Sequence, residues 1–151
     1  MQFTNFVGID VSKDTLDYCL FREGKLVSEF CAENSLKGVV GALKELLSVP
    51  GFSVSDTIFC MENTGLYNNN LTTVLTDQDC FLWIEKAIQI KRSSGLQRGK
   101  SDKIDAKRIA LFAFRNQDQA KRWSPKRTVL LQLQRLTSVR DGVATKMWTI
   151  C

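Results

Sequence analysis

The sequence predicts an α/β fold, a mixed five-stranded sheet with flanking helices, followed by a C-terminal helical arm. Three observations predict it. Strand-like runs open the chain back to back, two of them joined by a tight Glu23-Gly24-Lys25 turn. Beyond residue 35, segments of helical spacing alternate with short apolar runs. From Lys126 onward the apolar residues thin to a narrow stripe at 3-4 spacing.

The first run, Phe3 to Val11, is apolar and β-rich and leads into Gly8-Ile9-Asp10-Val11-Ser12. Leu16 to Phe21 alternates apolar and polar residues, then turns into Leu26-Val27-Ser28-Glu29-Phe30-Cys31; alternation about a Gly turn reads as antiparallel hairpins. Ser35 is the expected N-cap of a helix whose apolar face carries Val39, Val40, Leu43, Leu46 and Leu47. Pro50-Gly51 ends it. Thr57 to Glu62 is a continuous apolar run of strand length, as suits a strand buried on both faces. Thr64 is expected to cap a helix reaching about Thr76, with Leu66, Leu71, Val74 and Leu75 inward. Cys80 to Ile84 is a fifth strand, and Lys91 to Ser101 reads as a mobile polar loop.

Ser101-Asp102 opens a further helix, with Ile104, Ile109, Phe112 and Ala113 inward. Ser124-Pro125 breaks the chain. Val129, Leu133, Leu136, Val143, Met147 and Ile150 then follow the spacing of a coiled-coil seam. The pattern reaches Cys151 without a C-cap, so this chain is expected to be the N-terminal part of a longer protein. The expected division is a catalytic domain over 1–122 and the start of the arm over 123–151.

The resulting order, β-β-β-α-β-α-β-α, is that of the ribonuclease H-like fold. Right-handed crossovers set the first and fourth strands side by side and parallel. Asp10 and Glu62 then meet at one edge of the sheet, where ligand crevices of open α/β sheets lie.

Composition narrows the chemistry. Hydrophobic residues make up 44% of 151, enough for a core, and no apolar run is long enough to span a membrane. The N-terminus lacks a basic-then-apolar signal pattern, so a cytoplasmic location is the default. There is no His, which excludes Ser-His and Cys-His nucleophile pairs. Without His or a CxxC pair a zinc site is not expected, and the five cysteines read as buried reduced thiols. The net charge is +5, but residues 86–127 alone hold a balance of +10 and the remainder −5. One segment therefore carries all the positive excess, which points to nucleic acid; a solvated helix face is the plainer alternative.

Asp10, Glu62, Asp102 and Asp105 are the candidate catalytic and metal-ligating residues. Each has an ordinary explanation: a strand-end turn for Asp10, a strand boundary for Glu62, a helix first turn for Asp102 and Asp105. None of these explains a set of acids gathered beside a basic stretch. Asp102 and Asp105, three apart at a helix start, are expected on one face. Mg²⁺ or Mn²⁺ takes hard oxygen ligands and keeps several waters, so a few carboxylates suffice for a pair of ions. Two ions about 4 Å apart can activate an attacking oxygen and steady a leaving one. Lys100, Lys103, Lys107 and Arg108 flank the acids, and Lys91, Arg92 and Arg98 precede them, as candidates to hold a phosphate backbone. Ser93 and Ser94 read as loop residues near phosphate. Of the tryptophans, Trp83 is expected in the core and Trp123, among Lys121, Arg122 and Lys126, is a candidate for nucleic-acid contact.

Three motifs carry a family resemblance. Phe6-Val7-Gly8-Ile9-Asp10-Val11-Ser12-Lys13, Met61-Glu62-Asn63-Thr64-Gly65 and Gly95-Leu96-Gln97-Arg98-Gly99-Lys100-Ser101-Asp102-Lys103-Ile104-Asp105-Ala106-Lys107-Arg108-Ile109-Ala110 resemble the N-terminal domain of DEDD transposases of the insertion sequence 110 type and of Piv-like DNA invertases. The resemblance implies a RuvC-like fold, with Asp10, Glu62, Asp102 and Asp105 as the acidic tetrad. It further implies metal-dependent DNA cleavage and strand transfer, a guide RNA in many members, and homo-oligomers formed through the helical arm. Members also carry a C-terminal domain with a nucleophilic serine, so this chain alone is expected to bind metal and nucleic acid without completing recombination.

Two other readings compete. A non-catalytic nucleic-acid-binding module of the same fold would keep the basic surface and cut nothing. An actin-like or sugar-kinase-type ATPase fragment shares the opening Gly-x-Asp, but it needs a second glycine-rich phosphate turn that the sequence lacks.

Overall fold

The computed structural model describes residues 2–93 and 105–124. Five strands form one sheet: β1 (Asn5–Val11), β2 (Thr15–Arg22), β3 (Lys25–Glu33), β4 (Thr57–Glu62) and β5 (Phe81–Glu85). Their order is β3-β2-β1-β4-β5. The first three make an antiparallel meander, while β1 pairs with β4 and β4 with β5 in parallel. The expected adjacency of the first and fourth strands is therefore present. Glu23 and Gly24 both have positive φ (55° and 75°), the backbone a two-residue hairpin needs to follow strand twist.

Helices α1 (Leu36–Leu47) and α2 (Asn69–Asp77) cover one face; α3 (Ala87–Ser93) and α4 (Ala106–Arg115) cover the other. The alternation of each strand divides the core between the two faces. Val7, Ile9, Phe59, Met61 and Leu82 pack under α1 and α2; Phe6, Cys19, Ile58, Cys60 and Trp83 pack under α3 and α4. Strand β4 is buried from Thr57 to Met61, as its unbroken apolar run requires.

The termini of α1 follow local chemistry. The Ser35 hydroxyl oxygen accepts from the Gly38 amide at 2.9 Å, satisfying an otherwise unpaired first-turn donor. Val39, Leu43 and Leu46 are buried, but Leu47 is exposed, because the apolar stripe is wider than the face the sheet covers.

Several expectations are corrected. The helix after Glu62 starts later than expected: Gly65–Asn68 is a 3-10 turn and α2 begins at Asn69. Thr64 does not cap it; its hydroxyl donates to the Asn68 side chain at 2.6 Å. Leu66, expected inward, is exposed, because the 3-10 turn rotates it away from the sheet. The stretch expected as a loop from Lys91 is helical through Ser93, whose hydroxyl donates to the Ile90 carbonyl. Helix α4 begins at Ala106, with Asp105 before it in extended conformation (φ −91°, ψ 171°); Ser101-Asp102, expected to open it, lies outside the described residues. Asp105 thus stands as the N-cap rather than inside the helix, and its expected helical neighbour Asp102 lies outside the described residues. Ile109, Phe112 and Ala113 are buried as expected.

Cys19, Cys60 and Cys80 are buried, while Cys31 is exposed on the outermost strand β3. Trp123 packs against the core under α1 and α2, and its amide donates to the Leu82 carbonyl at 2.6 Å. Half-buried in this way, it is a docking residue rather than an open stacking platform. The helical arm, with Ile104, Ser94 and Cys151, lies outside the described residues. Among the described residues no helix is long and apolar enough to cross a membrane.

Candidate functional site

Strand register assembles the site. Strands β1 and β4 pair from Asn5–Thr57 to Ile9–Met61, so the next step of the same register sets Asp10 beside Glu62. Across the antiparallel side, Asp10 is paired with Asp17. On the parallel side, Glu62 is paired with Glu85. Four acids thus follow one another across β2, β1, β4 and β5 at a single sheet edge. Side chains alternate along a strand, and Phe6, Cys19, Ile58, Cys60 and Trp83 all lie under α4. Their even-numbered offsets put Asp10, Asp17, Glu62 and Glu85 on that same face. All four are half-buried.

Neither Asp17 nor Glu85 stands out in the sequence. Asp17 sits in an alternating strand, where a polar residue is ordinary, and Glu85 lies one residue beyond the expected end of β5. The signal that finds them is cross-strand register, which needs the pairing partners. Glu85 is held in place, since its carboxylate accepts from the Trp83 indole N–H at 2.9 Å.

Asp105 reaches the row from above. A helix can approach a sheet this closely only where side chains are missing. A Cβ at Gly8 would collide with the Ala106 carbonyl oxygen and the Ala110 amide nitrogen. The Gly8 backbone therefore lets the first turn of α4 press directly on β1, two residues before Asp10. Asp105 is the N-cap of α4, its carboxylate accepting from the Arg108 amide at 2.8 Å. Its second role follows from position: Asp10, Asp17, Asp105 and Lys107 line one cleft of about 420 Å³. The neighbouring Cys19 thiol is pushed up to about 12, by burial first and then by the carboxylates of Glu29 and Asp105.

The loops that follow the acids are tied together. The Asn34 side-chain amide donates to the Ser12 carbonyl at 2.7 Å and to the Tyr67 carbonyl at 3.1 Å. Ser12 follows Asp10 by two residues, and Tyr67 follows Glu62 by five. Asn70 in turn donates to both oxygens of Asn34, at 3.1 and 3.0 Å. The run Asn68-Asn69-Asn70, without an evident purpose in the sequence, thus includes a brace for this edge.

Of the expected site residues, Asp10 and Asp105 share the cleft. Glu62 is beside Asp10 in register but does not line that cleft. Asp102, Arg98, Lys100 and Lys103 lie outside the described residues. Lys91 and Arg92 are in the last turn of α3, and Lys107 is at the cleft. The Arg108 guanidinium makes a long 3.5 Å contact to the Lys91 carbonyl, joining α4 to α3. Among the described residues no three acids or cysteines are grouped closely enough to hold a metal ion by themselves.

A family model for DEDD transposases of the insertion sequence 110 type, described as "Transposase", matches residues 7–150. The chain belongs to that transposase family. No curated protein matches it. Among solved structures, this transposase domain is similar to Thermus thermophilus RuvC in complex with Holliday junction substrate. That likeness has 12% identity and a TM-score of 0.58, covering 80% of this chain and 99% of the other. A second Thermus thermophilus RuvC structure gives 14% identity and a TM-score of 0.54, over 79% and 99%. At these identities the likeness establishes the fold, and the transposase domain has a RuvC-like fold.

Proposed function

We propose that this domain carries out metal-dependent phosphodiester cleavage and strand transfer on DNA, in the cytoplasm, as the catalytic part of a transposase. The observation that supports this most is the placement of Asp10, Glu62 and Asp105 at one edge and one face of the sheet. Two end adjacent parallel strands on one face, and the third caps the helix pressed onto that face. The donor set suits a hard cation: Asp10 and Asp105 line one cleft, Glu62 stands beside Asp10 in register, the chain has no His, and Mg²⁺ and Mn²⁺ favour oxygen ligands. Asp10, Glu62 and Asp105 would hold it, with Asp102 added by the family resemblance. A bound pair of such ions supplies positive charge to the phosphoryl and leaving oxygens.

The protein's own part is placement. Lys107 sets a cation beside the acids in the cleft, where a phosphate of the bound strand would lie. Lys91 and Arg92, with Arg98, Lys100 and Lys103 outside the described residues, extend the basic surface. Arg108 braces α3 against α4. A guide RNA and self-assembly through residues 123–151 belong to the same reading, and nuclease-sensitive co-purified RNA and sedimentation of the purified protein test them.

The central test uses the full-length transposase. Asp10→Asn, Glu62→Gln, Asp102→Asn and Asp105→Asn should each keep DNA binding and lose cleavage with Mg²⁺ or Mn²⁺. Recombination that persists in these variants defeats the proposal. It would support a second reading, a non-catalytic nucleic-acid-binding module. That reading is favoured by the absence of a three-ligand cluster among the described residues.

A further inference from the structure

A groove of about 680 Å³ begins where the acid row ends. Its inner wall is Trp83 and Glu85, and Glu85 is the register partner of Glu62. Its rim carries two cations from separate segments, Arg92 at the end of α3 and Lys121 after α4. Gln89 and Gln119 face it from the same two segments. All four rim residues are exposed, and among the described residues none of their side chains has a hydrogen-bond or ion-pair partner. The one acid in the groove, Glu85, is engaged by the Trp83 indole at 2.9 Å. Cations and free amides above a wall of sheet are chemically suited to a phosphodiester strand: the charges meet phosphates and the amides meet sugar and base edges.

We propose that this groove seats the nucleic-acid strand as it leaves the acid row, with Arg92 and Lys121 on its phosphates and Gln89 and Gln119 on its sugars and bases. The placement rests on the reading of the acid row as the site of phosphodiester chemistry. Continuity supports a strand over a small anion, because the groove adjoins the row through Glu62 and Glu85. A free mononucleotide shares the chemistry and is separated from it by competition.

The test uses the 151-residue chain and a fluorescein-labelled single-stranded DNA, with anisotropy read over a salt titration without divalent metal. The Arg92→Ala/Lys121→Ala double variant should melt like the wild type and bind more weakly. The slope of log K against log salt should become shallower by about 1.4, from two phosphate contacts at about 0.7 each. A nucleoside monophosphate should not displace the strand. A genetically encoded photocrosslinking residue in place of Gln119 should capture the DNA, and one in place of Lys44, exposed on the opposite face, should not. Unchanged affinity and slope overturn the groove, as does equal crosslinking from both positions or displacement by the mononucleotide. Cleavage of the same DNA with Mn²⁺ by the full-length transposase carrying Asp10→Asn, beside the wild type, separates the two ideas. If that variant still cuts, the catalytic reading of the row falls, while a lowered slope and the Gln119 crosslink still uphold the groove.

Discussion

Gly8 lies directly beneath Ala106, with no room for even a methyl group between strand and helix. This contact sets the height of α4 above the sheet, and with it the position of Asp105 relative to Asp10. Gly8→Ala must displace the helix backbone, because the obstructing atoms are a carbonyl oxygen and an amide nitrogen rather than a flexible side chain. Overpacking of this kind typically costs about 1–3 kcal/mol. Urea denaturation should show a loss at the upper end of that range, and cleavage should fall further than the remaining folded fraction explains. A variant as stable and active as the wild type would mean that α4 does not position the site.

Asp105 has two roles that substitution can separate. Asn caps helices about as well as Asp, so Asp105→Asn should leave stability nearly unchanged while removing the charge. Asp105→Ala removes both and should cost about 0.5–2 kcal/mol of stability. Equal loss of cleavage in both variants, with unequal loss of stability, is the expected pattern. Activity that tracks stability would reduce Asp105 to a cap.

Asn34 should act on the site without touching substrate. Its amide joins the loops after Asp10 and Glu62. Asn34→Ala leaves the Ser12 and Tyr67 carbonyls without this donor and removes the side-chain acceptor of the Asn70 amide, whose bond to the backbone carbonyl of residue 34 remains. Because both bonds are exposed and water can replace the donor, the expected cost is about 0.5–1.5 kcal/mol. Hydrogen exchange should rise at residues 11–14 and 64–68 before it rises in β4. Uniform acceleration across the sheet would contradict a local brace.

Asp17 opposes Asp10 directly across the antiparallel pair. Like charges in that position destabilise a sheet by about 0.2–1 kcal/mol. Asp17→Asn should therefore raise the melting temperature in chelator. The stabilising effect of added Mn²⁺, relative to sodium of equal ionic strength, should become smaller than in the wild type. A drop in melting temperature in chelator would show that the two carboxyl groups do not repel.

Alkaline pH should unfold the domain through its thiols. Burial pushes Cys19 and Cys80 up to about 12 from an ordinary 9.0, and pushes Cys60 up as well. The folded state therefore holds these protons after the unfolded chain has released them. Their contribution is fully present below pH 9 and is lost as pH rises toward 12. The urea midpoint should fall progressively over that window. At neutral pH, mass spectrometry should find Cys31 alkylated well before Cys19, Cys60 or Cys80, although its hydrogen bond to Asp17 pushes that thiol up too.

Local pattern was enough to read five strands, the Ser35 cap and the double burial of β4, because side-chain periodicity and capping are short-range effects. It was enough to place Asp10 and Glu62 at one edge, because crossover handedness leaves few topologies for that element order. It misjudged the start of α4, where the capping carboxylate of Asp105 ends the extended backbone, and it missed α3 because a seven-residue helix has too few turns to show a period.

The amino-acid order by itself determined the strands, the family motifs and the charge separation, since each depends on residues near one another in the chain. Only the folded sheet decided that Asp17 and Glu85 extend the acid row, that Asn34 ties its loops, and that Trp123 docks rather than projects. These relationships depend on register and on contacts between distant segments. A one-residue slip would turn every side chain of a strand to the other face, so no local signal can encode them.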